Sequence, residues 1–356
     1  MTARASIVVR SMGRPELADA LAALAAQAYD DIEVVLVDAS GGRHPPPPAR
    51  CGRFPLVFVP GDAPRTRPVA ANAGFDAATG ELLGLLDDDD LIEPAHVANL
   101  VAALGAQADA IAAYSVSHEI DALGRTLKTR AQRWSRLLLF QDSYLVSNSV
   151  LFRRTAFERC RFDERFDICE DWEYWIQISE LGEFAFVEAD TAISRPLAGT
   201  SGTGRGANRD DASCRRYIGE LATKWSARGE ALAAEIEAAA AAARALHAQG
   251  RADDAEAAAL RVLERYPFEV SMLNLTGMRL AQRGDIAGAL ARFRLAAAEA
   301  PGDPNSGFNH ALALERLGRD DEALAEYDRV LAFAPTHAPA LARRAIVARQ
   351  RNPGAG

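Results

Sequence analysis

Short apolar runs alternate with helical patterns through the first half of the chain. Residues 6–9 read Ser-Ile-Val-Val, and residues 33–37 return to apolar character just before an aspartate. Between these runs, Leu17, Leu21 and Leu24 recur at the spacing of one helix face. Strands covered on both faces read as continuous apolar runs. The pattern therefore predicts a βαβ unit.

The same alternation continues beyond this unit. It predicts strands at 56–59 and in the run that enters Asp87, with helices at 69–79 and from 94 to about 104. Helices that follow parallel strands cover both faces of one sheet. We therefore expect a three-layer α/β domain with right-handed crossovers.

The last third of the chain has a different pattern. Gly250, Gly284 and Gly318 recur every 34 residues, as do alanines at 255, 289 and 323 and prolines at 267, 301 and 335. This period is that of the tetratricopeptide repeat, a helical hairpin that stacks into a solenoid. Residues 337–351 read as a final helix capping the stack. The concave groove of such an array predicts protein or peptide binding, with self-association as the alternative.

Composition limits the classes of binding partner and the cellular compartment that we expect. A net charge of −9 and a pI near 5.3 argue against nucleic acid as the main partner. The sequence contains no run of 18 apolar residues and so predicts no transmembrane segment, and its first ten residues do not read as a signal peptide. The four cysteines have no metal-ligand spacing. We expect a cytoplasmic protein, or one peripheral to the inner face of the membrane.

Residues 82–94 contain the most informative chemistry, an apolar run that ends in Asp87, Asp88, Asp89 and Asp90. Two carboxylates about 4 Å apart repel by roughly 4 kcal/mol at an effective dielectric constant near 20. Such a cluster is either a solvated acidic turn or a cation site. Its place after a strand favours a site, because ligands bind beyond the carboxyl ends of strands in open α/β sheets. Oxygen ligands suit Mg²⁺ or Mn²⁺.

No phosphate-binding glycine signature explains this domain, because the sequence lacks a P-loop and its single Gly-x-Gly-x-Gly follows no strand. Instead, six segments resemble, in order, the motifs of glycosyltransferase family 2, which has the nucleotide-sugar-binding GT-A fold. They are residues 6–15, 35–40 and 70–74, the aspartate run, and residues 147–152 and 169–175. The resemblance extends over roughly residues 4–200.

This resemblance implies roles on the donor side. Asp89 matches the second aspartate of the family's Asp-x-Asp motif and is expected to bind Mn²⁺ or Mg²⁺ with Asp87. Asp87 and Asp88 would also lie toward the ribose or the metal's waters, and Asp90 would be a supporting residue. The remaining expected donor-binding residues are Asp38, Asn72 and Arg205. Asn72 also has the interpretation of a cap or turn residue.

On the acceptor side, Asp171 matches the family's catalytic base and Glu170 would orient or tune it. Two adjacent carboxylates can have different pKa values, which suits a base that works near neutral pH. Acids in a first helical turn are also favoured by the helix dipole alone. Trp172 and Asn148 are expected acceptor-binding residues, although aromatics spaced like Trp172 and Trp175 also suit a core.

Two positions depart from the family pattern. Leu197 stands where the family often has the histidine of an Arg-x-His segment, and Ala71 stands where relatives commonly have arginine. Either change is consistent with lost activity or an altered donor. The Gly-rich residues 199–206, which include Arg205, suit a lid over the diphosphate or a linker.

Together these features predict a GT-A-like domain at 1–205, a helical connector at 206–235 and a tetratricopeptide domain of about three repeats with a capping helix at 236–356. The predicted activity is that of an inverting, metal-dependent hexosyltransferase of polysaccharide biosynthesis. It would use a nucleoside diphosphate sugar, with a UDP-sugar favoured, and a glycan, lipid-linked or protein acceptor. The alternatives are a non-catalytic scaffold that binds nucleotide sugars and a related nucleotidyltransferase.

Overall fold

The structure, a computed structural model, describes residues 3–195 and 211–351. The contacts within the chain define two units, residues 1–227 and residues 228–356. The boundary falls inside one long helix, Asp211–Ala248, and within the segment that the sequence predicts as a connector. Each unit is described by itself below.

The described strands of the first unit form one mixed sheet. They are β1 (Ala5–Ser11), β2 (Ile32–Asp38), β3 (Arg50–Cys51), β4 (Phe54–Val59), β5 (Leu82–Asp87), β6 (Leu91–Ile92), β7 (Ala110–Ile120), β8 (Thr126–Arg130), β9 (Val150–Arg153) and β10 (Glu183–Ser194). The helices that begin in this unit are α1 (Leu17–Ala25), α2 (Arg67–Ala77), α3 (His96–Ala106), α4 (Arg136–Gln141), α5 (Arg154–Arg159), α6 (Glu170–Ser179) and α7 (Asp211–Ala248).

The strand order is β3-β4-β2-β1-β5-β9-β7-β10-β6, and β8 pairs with β7. Strands β4, β2, β1 and β5 are parallel, with Val8 of β1 opposite Val35 of β2 and Leu85 of β5. Strand β9 then runs antiparallel between β5 and β7, and β10 is parallel to β7. The sheet therefore presents the carboxyl ends of β1, β2 and β5 at one edge.

Alternate residues of β1 enter two different cores, as expected for a strand covered on both faces. Val8 packs in a core with Phe75 of α2 and Trp175 of α6, whereas Ile7 and Val9 pack in a core with residues of α1 and α3. The predicted three-layer α/β architecture is confirmed. The helix α2 lies very close to the sheet, because a Cβ atom at Gly74 would be 2.3 Å from Val8 Cγ1.

The second unit contains the end of α7 and a run of further helices. They are α8 (Ala252–Arg265), α9 (Val270–Gln282), α10 (Ile286–Glu299), α11 (Pro304–Arg316), α12 (Asp320–Phe333) and α13 (Ala338–Arg351). Helices α8, α10 and α12 begin at residues 252, 286 and 320, and α9, α11 and α13 begin at 270, 304 and 338, so both series advance by the 34-residue period. This confirms the predicted all-α repeat region.

Among the described residues, no helix is both long enough and apolar enough to cross a membrane.

Candidate active site

Two cavities of about 300 Å³ and 480 Å³ open at the carboxyl ends of β1, β2 and β5. They share four lining residues, Arg10, Arg67, Asp87 and Asp89. The smaller cavity also contacts the loops after β1 and β2, and we call it the donor-side cavity. The larger one contacts the start of α6, and we call it the acceptor-side cavity. The position agrees with the general rule for ligand sites in α/β sheets.

Arg10, near the end of β1, connects the two cavities. Its guanidinium donates to both carboxylate oxygens of Asp87, at 2.7 and 2.9 Å, and to Glu170 Oε1 at 2.7 Å. The side chain is only 5% exposed. A buried guanidinium is stable only when its hydrogen bonds are satisfied by such partners. Arg10 therefore holds the end of β5 and the first turn of α6 close together, because both bind its guanidinium.

The pKa of Asp87 reflects this contact. Burial acts to raise the pKa, but the charge and hydrogen bonds of Arg10 outweigh burial and hold the pKa below its ordinary value. Asp87 is therefore a carboxylate that stays ionised on the wall common to both cavities.

Asp88 and Asp89, the next two aspartates, have different environments. Asp88 is buried and accepts hydrogen bonds from Ser11 Oγ at 3.0 Å and Met12 N at 2.8 Å, which ties it to the loop after β1. Asp89 accepts a hydrogen bond of 3.0 Å from Arg14 Nη1. Burial and then the charge of Asp87 raise the pKa of Asp89 to about 6. An added cation would therefore favour the ionised form of Asp89.

The turn formed by the aspartate run is also held from β10. Arg195 Nε donates to the carbonyl oxygen of Asp89 at 2.6 Å, and the Arg195 amide donates to Asp90 Oδ1 at 3.1 Å. Burial and the charge of Asp87 raise the pKa of Asp90 well above its ordinary value. Asp90 thus supports the turn through the Arg195 amide, and its supporting role in the reaction stays a prediction.

Asp38 ends β2 and closes the turn that follows. Its carboxylate accepts hydrogen bonds from Ser40 N at 2.7 Å, Ser40 Oγ at 2.6 Å and Gly42 N at 2.9 Å. Burial opposes these hydrogen bonds, which nevertheless lower the pKa of Asp38. Its neighbour Ala39 lines the donor-side cavity. In this structure Asp38 shapes the loop beside the cavity, and its role in donor binding stays a prediction.

Asn72 lies away from both cavities. Its side-chain amide donates to the carbonyl oxygen of Phe162 at 3.0 Å and accepts from the Phe162 amide at 3.1 Å. These contacts join α2 to the segment before α6. The geometry gives Asn72 a structural role, and donor binding by this residue finds no support in it.

Asn148 and Trp172, the expected acceptor-binding residues, are both engaged within the protein. The Asn148 side chain donates to the carbonyl oxygen of Ile193 at 3.0 Å and lines neither cavity. Trp172 lines the acceptor-side cavity, but its indole N–H donates to the carbonyl oxygen of Leu139 at 2.6 Å. Trp172 is therefore placed to contact an acceptor through its ring only. Trp175 is fully buried in the core.

Glu170 and Asp171 form the first turn of α6 and line the acceptor-side cavity. The preceding residue, Cys169, has a φ of 67°, a left-handed conformation that is uncommon outside glycine and often found at functional sites. Burial and then the charge of Glu170 raise the pKa of Asp171 to about 7. Asp171 is therefore able to accept a proton near neutral pH.

Arg205 and Leu197 lie outside the described residues. The site also contains residues that the sequence interpretation did not select, Arg10, Arg14 and Arg67. Arg10 is the one charged residue in the mainly apolar strand β1, and this was the available signal for it, because a buried charged residue requires a partner. The described part of the chain has no group of three or more His, Cys, Asp and Glu side chains that could hold a metal ion. A Mg²⁺ ion needs only one or two carboxylates when phosphate oxygens complete its ligands, and the crowded Asp89 beside Asp87 fits that requirement.

Most of the first unit is similar to a known protein family. Residues 6–161 match the family described as Glycosyl transferase family 2. This segment is therefore similar to a glycosyl transferase family 2 domain. The match contains Arg10 and the aspartate run but ends before Glu170 and Asp171. The roles of those two acids therefore depend on the geometry of the site.

Several solved structures are similar at low identity. A crystal structure of S. aureus TarS is 11% identical, covers 99% of this chain and 92% of its own, and has a TM-score of 0.46. The first tetratricopeptide domain of human RPAP3 is 18% identical and covers 32% of this chain and 90% of its own, with a TM-score of 0.30. A mutant O-GlcNAc transferase of Thermobaculum terrenum is 24% identical over 33% of this chain and 22% of its own, with a TM-score of 0.31. A comparison with curated protein sequences finds no match.

The raised pKa of Asp171 predicts how the free energy of unfolding depends on pH. Between pH 4 and pH 7 the folded protein retains a proton on Asp171 that the unfolded chain has released, so raising the pH through this window favours unfolding. Asp171→Asn removes this dependence. We expect the free energy of unfolding of Asp171→Asn to rise relative to that of the parent by on the order of 4 kcal/mol between pH 4 and pH 8.

Urea unfolding followed by tryptophan fluorescence measures this effect, because all four tryptophans lie in residues 1–227. Glu180→Gln, at the other end of α6, is the control. A constant difference between Asp171→Asn and the parent at every pH would contradict the raised pKa.

Proposed function

We propose that the protein is an inverting glycosyltransferase that moves a sugar from a nucleoside diphosphate sugar, with a UDP-sugar favoured, to a hydroxyl group. The wall common to the two cavities is the strongest support for this proposal. It places the ionised Asp87 of the donor-side cavity and the Glu170–Asp171 pair of the acceptor-side cavity on either side of one guanidinium, that of Arg10. A transferase needs this arrangement of a leaving-group site next to a base.

The protein's residues divide the reaction between them. Asp171 takes the proton of the acceptor hydroxyl as its oxygen forms a bond to C1 of the sugar. The bond from C1 to the diphosphate breaks, and the nucleoside diphosphate departs with the bonding electrons. Attack from the face opposite the leaving group inverts C1. Burial, and then the charge of Glu170, which Arg10 holds in place, keep the pKa of Asp171 high enough for this transfer.

On the donor side, Arg67 is the guanidinium that we assign to the diphosphate. It lies at the start of α2, lines both cavities, and its charge acts on both Asp87 and Asp171. Ala71, where the family commonly has arginine, is one helical turn farther on and is fully buried. The start of α2 therefore supplies positive charge to the cleft without an arginine at position 71.

A divalent cation completes the proposed site. Asp89 and Asp87 are the residues that would hold Mn²⁺ or Mg²⁺. When bound, the ion would neutralise charge on the departing diphosphate. This assignment accords with the raised pKa of Asp89, since a cation relieves the repulsion between these carboxylates.

We propose that the repeat unit recruits the acceptor or a partner protein. Within that unit, α10, α11 and α12 enclose a cavity of about 590 Å³. Its polar lining consists of Arg294, His310, Arg319, Glu322, Glu326 and Arg329. Mixed charges of this kind suit a polypeptide or polar glycan. Among the described residues, those that line the donor-side or acceptor-side cavity all lie at or before position 218, so we do not expect donor contact to need the repeats.

The donor site is tested by Asp89→Ala. We expect this variant to lose the Mn²⁺-dependent part of UDP binding while the fold is retained, because the carboxylate proposed to hold the ion is gone. Isothermal calorimetry with UDP, with and without Mn²⁺, measures the change. Asp76→Ala, an exposed aspartate on α2 that pairs with Arg161, is the matched control. Equal Mn²⁺-dependent affinity in Asp89→Ala and the parent would refute the assignment.

The role of the repeats is tested by a chain that ends at residue 235. We expect its affinity for UDP to remain within about twofold of the full chain, because both cavities are retained. Its transfer to the physiological acceptor should fall. If the repeats serve self-association instead, light scattering will show a smaller assembly for the shortened chain, with an unchanged rate on a small acceptor. Loss of UDP affinity with an intact fold would contradict the separation of roles.

A further inference from the structure

Arg14, in the loop between β1 and α1, stands over the aspartate run. Its Nη1 atom lies 3.0 Å from Asp89 Oδ2 and 3.3 Å from Asp88 Oδ1. The side chain is 28% exposed and lines the donor-side cavity. A positive group of the protein itself thus contacts the carboxylate proposed to hold a divalent cation.

Arg14 differs from Arg10 in how firmly it is held. Arg10 is buried and bonds two carboxylates through three nitrogen atoms. Arg14 contacts its two aspartates through Nη1 alone. The backbone beneath it is constrained, because Gly13 has a φ of 75° and a Cβ atom there would be 2.8 Å from Pro45 Cδ. A rotation of the Arg14 side chain can therefore break its contact with Asp89 without a movement of the loop.

A guanidinium and a divalent cation on the same carboxylate repel each other, so an ion bound at Asp89 would favour release of Arg14 from that carboxylate. Arg14 lines the donor-side cavity, so a released side chain would be within reach of a ligand there. A guanidinium there matches the geometry of phosphate oxygens.

We propose that Arg14 is an exchangeable counter-ion: it neutralises Asp89 in the empty site, gives way to a divalent cation, and then binds the diphosphate of the nucleotide. This inference rests on the proposed function, because it takes Asp89 as the metal ligand and a nucleoside diphosphate as the ligand of the cavity. It predicts opposite effects of Arg14 on the two ligands.

Isothermal calorimetry on the full-length protein tests the inference. In Arg14→Met, Mn²⁺ no longer competes with the guanidinium of Arg14. We expect the affinity of this variant for Mn²⁺, measured without nucleotide, to be about tenfold higher than that of the parent. With Mn²⁺ saturating, we expect UDP affinity to fall about tenfold or more, because a charged hydrogen bond is lost. The titrations are done at pH 8, above the pKa of about 6 of Asp89, so that proton binding does not mask the gain.

Three further variants separate the causes. Arg125→Met removes an exposed arginine that pairs with Asp121 in the turn after β7, and should bind both ligands like the parent. Arg14→Lys retains the charge and should bind Mn²⁺ close to the parent affinity. The double variant Arg14→Met with Asp89→Ala should lose the gain in Mn²⁺ affinity, which assigns that gain to Asp89.

Equal Mn²⁺ affinity in the parent and Arg14→Met would overturn the proposal, as would a gain in Mn²⁺ affinity without a loss of UDP affinity. Circular dichroism verifies the fold of each variant, and Arg14→Gln, which also removes the charge, decides the question if Arg14→Met does not fold. Failure of the parent to bind UDP in Mn²⁺ would instead refute the proposed function. The titrations of Mn²⁺ alone still report on Arg14 in that case.

Discussion

The buried ion pairs of Arg10 are the constraint on which the site depends. This guanidinium, at the end of the central strand β1, bonds Asp87 of β5 and Glu170 of α6, which are 77 and 160 residues away in sequence. Removing one partner of a buried ion pair leaves an uncompensated charge and typically destabilises a protein by about 3–5 kcal/mol. The fold therefore keeps the end of β5 and the first turn of α6 bound to the guanidinium of Arg10. The two cavities meet at this guanidinium.

The electrostatics of the site follow from this arrangement. Asp87 has a lowered pKa because Arg10 contacts it directly, whereas Asp171 lies next to the paired Glu170 and has a raised pKa. Neighbouring carboxylates thus acquire different protonation behaviour, as an acid–base site requires. Arg14 and Arg195 hold the rest of the aspartate run in place. An unusually acidic turn is stable here because arginines from three segments of the chain surround it.

The architecture was predictable because periodicity reports which faces of an element are buried. The alternation of strands and helices and the 34-residue repeat both appear in the structure as predicted. The acidic segments were visible for a similar reason, since carboxylates at strand and helix ends are local signals. The partners of individual polar side chains were not predictable, because they depend on contacts between distant segments. Asn72 forms hydrogen bonds with the backbone of Phe162, and Asn148 donates to the backbone of Ile193. Neither partner can be inferred from the sequence around the asparagine.

We propose that Asp171, held beside the donor-side aspartates through Glu170 and Arg10, is the base of a sugar transfer. The most direct test is the rate at which the protein releases UDP from UDP-sugars in the presence of acceptor, for the parent, Asp171→Asn and the control Glu180→Gln. We expect the rate to fall by a factor on the order of 10² to 10⁴ for Asp171→Asn alone, with UDP affinity unchanged. Turnover of Asp171→Asn close to that of an active parent would contradict the proposal.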